Sequence, residues 1–425
     1  MPLRALEPKS SASANSATFA QSRQNYHSKQ TRGPPPRMSS RAITERSSLP
    51  SASYLRERNR PEAPAGDGRM IVKGATHVSK GGIRLIMTQS AAVSPERIMQ
   101  MAWGFAAPLM LEAGIRNGVF EALDGGPKTL EELTRITGAS SRGLRALVNA
   151  LAGLGILTRD ADHRVGLAPD AATFLVKGKP VYFGGFIRHT STQLIPAWMK
   201  LSDVVRTGRP ANGGVNNQEV GAQFFHEFVN DIFPMSYGPA QALAKELKLD
   251  ERKQPASVLD IGAGSGVWGI TLAESAPLVK VTAVDWPGVI DITRANVESR
   301  GLTDRFSFIP GDLATADFGS GYDIAAIGHI LHSEGEQKSR ALLRKTFEAL
   351  APGGTIAVQE FLVEPDRSGP PVSLIFAVNM LVNTDQGDTW SFEEIAGWLR
   401  EAGFENPRQL DSPGPSPLIL ANRPA

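Results

Sequence analysis

The stretch that decides the fold runs from Val258 to Gly266 and reads Val-Leu-Asp-Ile-Gly-Ala-Gly-Ser-Gly. A short apolar strand leads directly into three glycines, and a helix is expected to follow over residues 268–275. Glycine allows a tight turn and lets a ligand approach the backbone at the carboxyl edge of a parallel sheet. The stretch therefore predicts a strand, loop and helix that together bind a nucleotide-like cofactor.

The sequence on either side of this loop alternates short apolar segments with helical ones, which is typical of a parallel α/β sheet. Six strands are predicted, over residues 257–261, 280–284, 306–309, 324–327, 355–359 and 418–421. Helices are predicted over residues 268–275, 289–299, 337–350, 372–382 and 392–402. The last of these begins with the capping box Ser391-Phe-Glu-Glu and ends at Gly403.

The glycine loop is compatible with two kinds of cofactor. Residues 264–269 spell G-x-G-x-x-G, the dinucleotide fingerprint, but Gly264 comes two residues late because Gly262 has already begun the turn. Asp260 would repel a pyrophosphate and favour the ammonium group of a methionine-type cofactor. Register and charge together favour S-adenosylmethionine, with an NAD-dependent oxidoreductase as an alternative.

Two further acids follow the next two predicted strands. Asp285 ends the second strand about 20 residues after the loop, where a carboxylate can accept hydrogen bonds from both ribose hydroxyls. Gly311-Asp312 follows the third strand, and Asp312 is placed to bind the adenine amine. The order of loop and acids along the chain predicts one cofactor site at the carboxyl edge of the sheet.

The region before the sheet is predicted to be helical and to contain a winged helix. A capping box at Thr129 opens one helix, residues 142–154 form the next, and residues 158–167 form a small hairpin. A DNA-binding regulator that senses a cofactor would share this outline. The second helix, however, offers only Arg142, Arg145 and Asn149 among many leucines, which favours packing over base recognition.

Composition limits the class of protein. A chain of 425 residues without cysteine exceeds the usual size of one domain and excludes disulfides, thiolate zinc sites and cysteine nucleophiles. A reducing compartment fits best, so a cytoplasmic location is predicted. The longest apolar runs, residues 104–111 and 374–382, are shorter than the ~20 residues of a membrane span. No membrane span and no nucleic-acid partner are therefore expected.

The first 86 residues differ from the rest because arginine, serine and proline are frequent there and acids are few. Such a segment cannot bury enough apolar area to offset the entropy of ordering, so it is predicted to be a disordered basic extension. A transit peptide, a nucleic-acid-binding tail and sequence upstream of a start at Met87 are the alternatives. The predicted organisation is 1–86 extension, 87–249 helical domain and 250–425 cofactor-binding domain.

Several motifs together carry a family resemblance. They are the loop 258–266, Asp285-Trp-Pro-Gly-Val, Arg305, Gly311-Asp312, Ile330-Leu-His332 and Ala351-Pro-Gly-Gly. From Pro95 onward the chain resembles small-molecule O-methyltransferases with an N-terminal dimerisation domain, including plant caffeate-type, bacterial antibiotic-type and acetylserotonin-type enzymes. The resemblance implies a seven-stranded, Rossmann-like class I methyltransferase sheet, preceded by an all-α winged-helix domain that forms a homodimer. It also implies methyl transfer to a hydroxyl of a small aromatic or polyketide-like metabolite.

The resemblance assigns roles to individual residues. His332 is implied to be the general base and Glu360 the acid that holds it. The implied cofactor-binding residues are Asp260, Gly262, Gly264, Gly266, Asp285, Trp286, Gly311, Asp312 and Leu313. The implied acceptor-binding residues are Phe233, Met235, Asn379, Met380 and Asn383.

The chain also departs from the family pattern. Ser333-Glu334 stands where Asp-Trp is frequent, and Thr389, with Asp388 adjacent, stands where a second acid is common. His329 and His332 are three residues apart, a spacing that suits a metal pair. Because no third ligand is expected nearby, no metal site is predicted.

Overall fold

The computed structural model describes residues 93–215, 221, 225 and 228–425. The predicted extension 1–86 lies outside the described residues. The chain divides into Met1–Gln89 and Ser90–Ala425, and the second part holds the helical region and the sheet in one compact unit.

The helical region contains the predicted winged helix. Its capping box is present, since Thr129 Oγ1 accepts the N–H of Glu132 while Glu132 Oε2 accepts the N–H of Thr129. The hairpin strands β1 and β2 pair antiparallel, and Phe120, Leu133 and Leu151 pack in the core beneath them. The elements are α1 Glu96–Ala102, α2 Ala106–Arg116, α3 Val119–Asp124, α4 Leu130–Thr137, α5 Ser141–Gly153, β1 Leu157–Arg159, β2 Val165–Leu167 and α6 Pro169–Phe174.

The first two helices expose an apolar surface. The chain turns at residues 103–105 rather than at Pro108, which lies in the first turn of α2, where a missing N–H costs no helical bond. Ile98, Trp103 and Phe105 are 71%, 67% and 56% exposed. By length and composition alone the stretch Glu96–Arg116 is sufficient to cross a membrane, a criterion that core helices and signal sequences also meet.

Short helices lead from the winged helix to the sheet, and then strands and helices alternate. Before the sheet lie α7 Gly184–His189, a π-helical turn Thr190–Leu194, α8 Ile195–Trp198, α9 Leu201–Thr207 and α10 Phe233–Glu246. The remaining helices are α11 Val267–Ser275, α12 Pro287–Ser299, α13 Leu331–Ala349, α14 Pro371–Asn383 and α15 Phe392–Ala402. The remaining strands are β3 Ala256–Ile261, β4 Val279–Asp285, β5 Phe306–Pro310, β6 Tyr322–Gly328, β7 Leu350–Gln359, β8 Leu362–Val363, β9 Trp390–Ser391, β10 Glu405–Leu410 and β11 Leu418–Asn422.

Seven of these strands form one sheet in the order β10-β11-β7-β6-β3-β4-β5. Strands β3 to β7 are mutually parallel, whereas β11 pairs antiparallel with β7 and β10 antiparallel with β11. The order reverses at β3, which pairs with β4 on one side and β6 on the other. In open α/β sheets this reversal opens a crevice at the carboxyl ends of the strands.

The seventh strand, β10, is absent from the strands predicted by sequence pattern. Most of its side chains are exposed, so Glu405–Leu410 shows no apolar alternation. Its register shifts between Glu405 and Arg408, around Pro407, which has no N–H to donate to a ladder. An irregular, polar edge strand carries too little pattern to be recognised.

Two hydrophobic cores cover the sheet. Leu243 of α10 and Ile270 of α11 belong to one, and Leu343 of α13 and Leu399 of α15 belong to the other. Phe233 packs against the first core, where it stacks on Tyr237 and lies under the Arg300 guanidinium. Phe233 therefore packs with the core, and its role in acceptor binding stays a prediction.

Candidate active site

The glycine loop connects β3 to α11 in a space that admits no side chains. Gly262, Gly264 and Gly266 all have left-handed backbones, with φ of +66°, +56° and +78°. A Cβ at Gly262 would lie 2.4 Å from Cδ1 of Ile330, and one at Gly264 would lie 3.0 Å from Cγ2 of Val229. The predicted need for glycine is confirmed by this crowding.

Two carboxylates, Asp260 and Asp285, fix the loop and the start of α11 by accepting backbone N–H groups. Asp285 Oδ2 accepts the N–H of Gly264 at 2.8 Å, and its Oδ1 accepts the N–H of Trp286 at 2.7 Å. Asp260 Oδ2 accepts the N–H of Gly269 at 2.9 Å. The other oxygen of Asp260 is buried and has no hydrogen-bond partner among the described residues. A buried acceptor without a donor is costly, so this oxygen is suited to a polar group of a ligand.

Burial makes both acids hard to ionise. It raises the pKa of Asp260 to about 7, an effect that the Gly269 hydrogen bond opposes and the nearby Asp285 charge reinforces. It raises the pKa of Asp285 to about 6, against the two backbone hydrogen bonds that Asp285 accepts. A cation bound beside the loop would favour the ionised form of both carboxyls.

The remaining predicted cofactor residues lie along the same edge of the sheet. Trp286 follows β4, and its indole Nε1 donates to Asp312 Oδ2 at 3.4 Å. Gly311 donates its N–H to the carbonyl of Asp285 at 2.8 Å. Leu313 Cδ1 lies 3.8 Å from the position that a Cβ on Gly262 would occupy. The carboxyl ends of three adjacent strands, β3, β4 and β5, thus carry the whole predicted set.

The segment before α10 also contacts this edge, which the sequence analysis did not predict. The Phe225 ring lies 6.2 Å from the Trp286 ring, and a Cβ on Gly221 would collide with that indole. Asn296 of α12 links this segment to the glycine loop, because its Nδ2 donates to Asn230 Oδ1 and to the carbonyl of Ser265. Periodicity alone could not show this contact, because an aromatic residue in a helical segment has the pattern of an ordinary core residue.

His332 and Glu360 meet at the carboxyl ends of β6 and β7. His332 Nδ1 lies 2.7 Å from Glu360 Oε2, and the backbone N–H of His332 donates to Oε1 at 3.2 Å. Only 8% of His332 and 1% of Glu360 are exposed. Burial alone would raise the pKa of Glu360, but the charge and the hydrogen bonds of His332 hold it below its usual value. An ionised Glu360 requires hydrogen on Nδ1, which leaves Nε2 of His332 free to accept a proton.

The loop 384–389 supports the start of α13. Asp388 donates its N–H to the carbonyl of His332 at 2.9 Å, while its own carboxyl group is on an exposed residue. Gly335 breaks the helix with φ of +77°, and a Cβ there would lie 2.7 Å from the carbonyl of Gln386. Thr389 is buried. A backbone N–H beside Thr389 thus holds the residue that bears the imidazole.

Aromatic rings surround the dyad. Phe376 meets the His332 ring edge-on at 4.9 Å, and Phe361 lies 4.2 Å from Phe376 and 4.9 Å from the His329 ring. Neither phenylalanine was predicted, because a phenylalanine within an apolar segment has the signature of an ordinary core residue. Together the two rings give the space beside His332 an apolar wall.

Three of the remaining predicted acceptor residues lie on α14, which also carries Phe376, and the fourth, Met235, lies on α10. Asn379 Oδ1 accepts the indole N–H of Trp198 at 2.9 Å and an amide hydrogen of Asn383 at 3.1 Å. Met380 and Asn383 are buried. Met235 is half-buried, and its neighbour Ser236 donates to the side chain of Gln359, directly before Glu360. The roles of these four residues in acceptor binding stay predictions.

The fold also brings His329 to the dyad. His329, His332 and Glu360 offer possible metal-ligand atoms that all lie within 4.8 Å of one another. The absence of a third ligand, on which the expectation of no metal rested, is therefore wrong. In this structure Nδ1 of His332 and Oε2 of Glu360 are engaged with each other.

Comparison with known proteins agrees with this geometry. Residues 198–405 match the model of an O-methyltransferase domain, and residues 99–177 match that of an O-methyltransferase dimerisation domain. The chain is 30% identical to the tetracenomycin polyketide synthesis 8-O-methyl transferase TcmO of Streptomyces glaucescens, covering 78% of this chain and 97% of TcmO. It is also 30% identical to 3-hydroxy-5-methyl-1-naphthoate 3-O-methyltransferase of Streptomyces sahachiroi, covering 76% of this chain and 94% of that enzyme.

A solved structure shows the same fold. Human N-acetylserotonin methyltransferase in complex with S-adenosylmethionine superposes with a TM-score of 0.67 at 22% identity, over 79% of this chain and 100% of the human chain. The match to the dimerisation-domain model covers the winged helix, and the match to the catalytic-domain model covers the loop, the acids and the dyad. The chain therefore belongs to the S-adenosylmethionine-dependent O-methyltransferases that carry an N-terminal dimerisation domain.

Proposed function

We propose that His332 removes the proton from an acceptor hydroxyl as that oxygen is methylated, and that Glu360 orients the imidazole. The observation that carries this proposal is the 2.7 Å contact between Nδ1 of His332 and a buried, ionised Glu360. It leaves Nε2 directed away from the carboxylate as the basic atom. Glu360 also stabilises the imidazolium that forms when Nε2 takes the proton.

The energetics favour a proton transfer that accompanies the methyl transfer. S-adenosylmethionine supplies a methyl group already activated on a sulfonium. A phenol of pKa ~10 would transfer its proton to an ordinary imidazole of pKa ~6.5 at a cost of ~5 kcal/mol. His332 therefore takes the proton while the oxygen is being methylated. Positioning by the surrounding residues contributes further, since effective molarities reach ~10⁵–10⁸ M.

The residues at the loop fit S-adenosylmethionine. The unpartnered buried oxygen of Asp260 is available to an ammonium group, directly or through water. Each oxygen of Asp285 accepts one backbone N–H and keeps a second lone pair for a ribose hydroxyl. Asp312 would accept a hydrogen bond from the adenine amine, while Trp286 and Leu313 would pack against the adenine ring.

The acceptor is proposed to be a small aromatic or polyketide-like metabolite. The two relatives named above are a polyketide 8-O-methyl transferase and a naphthoate 3-O-methyltransferase. Phe361 and Phe376 provide a wall on which a planar ring can pack beside His332. A cytoplasmic location in secondary metabolism would accord with such an acceptor.

The enzyme is proposed to act as a homodimer through α1 and α2. Trp103 and Phe105 are exposed and their rings stack at 5.9 Å, which adds to a surface more apolar than monomers usually expose. Met110, by contrast, packs into the helical core and lies outside this surface. The surface falls within the region that matches the dimerisation-domain model.

Replacing Asp285 with Asn is expected to weaken S-adenosylmethionine binding by about 10- to 100-fold, since hydrogen bonds to a charged group are worth ~1.5–3 kcal/mol. Asp312→Asn should have a smaller effect, because Asp312 offers the adenine a single hydrogen bond. Isothermal calorimetry gives both affinities, with the exposed Asp291→Asn as control. A larger loss for Asp312→Asn would reassign the two positions.

Cofactor affinity is expected to rise about tenfold between pH 5.5 and 7.5, because binding a cation favours the ionised forms of Asp260 and Asp285, whose pKa values are about 7 and 6. The apoenzyme should show the opposite trend. An acid with a raised folded pKa stabilises the fold at low pH and loses that contribution as pH rises through the folded pKa. Calorimetry and thermal melts across this range measure both, and equal pH dependence in Asp260→Asn would contradict the assignment.

Replacing His332 with Ala is expected to lower kcat by ~10²–10⁴ and leave cofactor affinity nearly unchanged. Glu360→Gln should cost less, since a glutamine oxygen can still accept the hydrogen on Nδ1 but carries no charge to stabilise the imidazolium. Single-turnover kinetics on an aromatic acceptor would measure the methyl-transfer step. The exposed His163→Asn is the control, because Asn tolerates the left-handed backbone at that position. Retention of a third of kcat in His332→Ala would reject the base.

Light scattering at micromolar concentration is expected to give the mass of a dimer. The double change Trp103→Glu and Phe105→Glu should shift the mass to that of a monomer, because charge in an apolar interface is costly to desolvate. Leu154→Glu, at an exposed residue outside α1 and α2, should leave the dimer intact. A monomeric wild type would contradict the proposed interface.

A further inference from the structure

His329 combines two unfavourable features. Both ring nitrogens are shielded from solvent, and neither has a hydrogen-bond partner among the described residues. The backbone is also left-handed, with φ of +59°, a region that is uncommon for residues other than glycine, although Asn, Asp and His adopt it more often than the rest. Costly features of this kind are usually retained where a ligand or reaction uses them.

The ring of His329 belongs to the same space as the dyad. Its centroid lies 5.8 Å from that of His332 and 4.9 Å from that of Phe361. The backbone N–H of His329 donates to the carbonyl of Gln359 at 2.9 Å, which ties the residue to the end of β7, next to Glu360. Two imidazoles thus lie side by side next to Phe361, where the proposed function places the acceptor hydroxyl.

We propose that His329 recognises a second oxygen of the acceptor, on a position neighbouring the hydroxyl that is methylated. This inference rests on the function proposed above and narrows the acceptor class. It selects aromatic compounds with two adjacent hydroxyls, or with a hydroxyl beside a carbonyl, over those with an isolated hydroxyl. The short distance between the two imidazoles, whose ring centroids are 5.8 Å apart, suits neighbouring oxygens.

The protonation state of His329 suits a residue that recognises the acceptor by hydrogen bonding and does not suit a second general base. Burial lowers the pKa of His329 to about 4, a shift that the charge of Glu360 opposes and that of His332 reinforces. The ring is therefore neutral at physiological pH and presents one N–H donor and one lone pair. A hydroxyl can satisfy either nitrogen, and a carbonyl oxygen can satisfy the nitrogen that bears the hydrogen. A base this weak would contribute little to removing a phenolic proton.

A divalent metal ion is the other ligand that these three side chains could bind. Binding one at His332 and Glu360 would disrupt the 2.7 Å contact that orients the proposed base. The acceptor oxygen requires no such rearrangement, because the nitrogens of His329 are unengaged among the described residues. The geometry as it stands therefore favours the acceptor over the ion.

The test compares pairs of acceptors that differ by one oxygen, such as catechol with phenol and an adjacent naphthalenediol with a naphthol. Wild-type kcat/KM should favour the two-oxygen member by about tenfold or more, since a buried polar group left unpaired penalises the analogue that lacks its partner. His329→Gly, which suits the left-handed backbone, should bring this ratio close to one. His329→Asn should retain part of it. S-adenosylmethionine affinity should stay unchanged in both variants.

Two results would overturn the inference. The first is a panel in which no two-oxygen acceptor reacts better than its partner, or in which His329→Gly leaves the ratio intact. If His332→Ala still abolished turnover in that case, the proposed base would stand and only the recognition role would fall. The second is activity lost to a chelator and restored by zinc in wild type but not in His329→Gly, which would assign His329 to a metal. A collapsed ratio in His329→Gly beside an active His332→Ala would support recognition and reject the base.

Discussion

The contact between the glycine loop and Ile330 is the constraint that links the two halves of the site. Gly262 has no room for a Cβ because Cδ1 of Ile330 would lie 2.4 Å away. Ile330 is the N-cap of α13, two residues before His332. The cofactor loop and the helix carrying the proposed base therefore rest directly on each other. A donor held by the loop and an acceptor held beside His332 are positioned by the same packed contact, which the sheet order at β3 and β6 makes possible.

The charges around this contact are arranged in two groups. On the loop side, burial opposes ionisation of Asp260 and Asp285, so a bound cation would stabilise their ionised forms. On the dyad side, Glu360 is equally buried but stays ionised because His332 compensates it. The same low-polarity environment thus makes one pair of acids responsive to the cofactor and keeps the third as a permanent partner of the imidazole.

Sequence reasoning succeeded where the signal is local. The loop, Asp285 and Asp312 follow their strands directly, and parallel strands bring their carboxyl ends to one edge. Contacts between distant segments were harder to foresee. Phe376 carries no mark in the sequence that distinguishes it from a core residue. The expectation that His329 and His332 have no third possible metal ligand nearby failed for the same reason. Glu360 is distant from them in sequence and is brought beside them only by the pairing of β6 with β7.

The strain at His329 follows from how β6 ends. A Cβ on Gly328 would lie 2.1 Å from the indole nitrogen of Trp268, so the strand closes tightly against α11 at its last residue. The chain must then turn sharply before α13, and the left-handed step falls on His329. The N–H of His329 is held by the Gln359 carbonyl, and the Gln359 side chain is fixed in turn by Ser236. Asparagine or glycine would satisfy this backbone more easily. A histidine whose ring nitrogens are buried without partners among the described residues is better explained by what the ring meets than by how the chain turns.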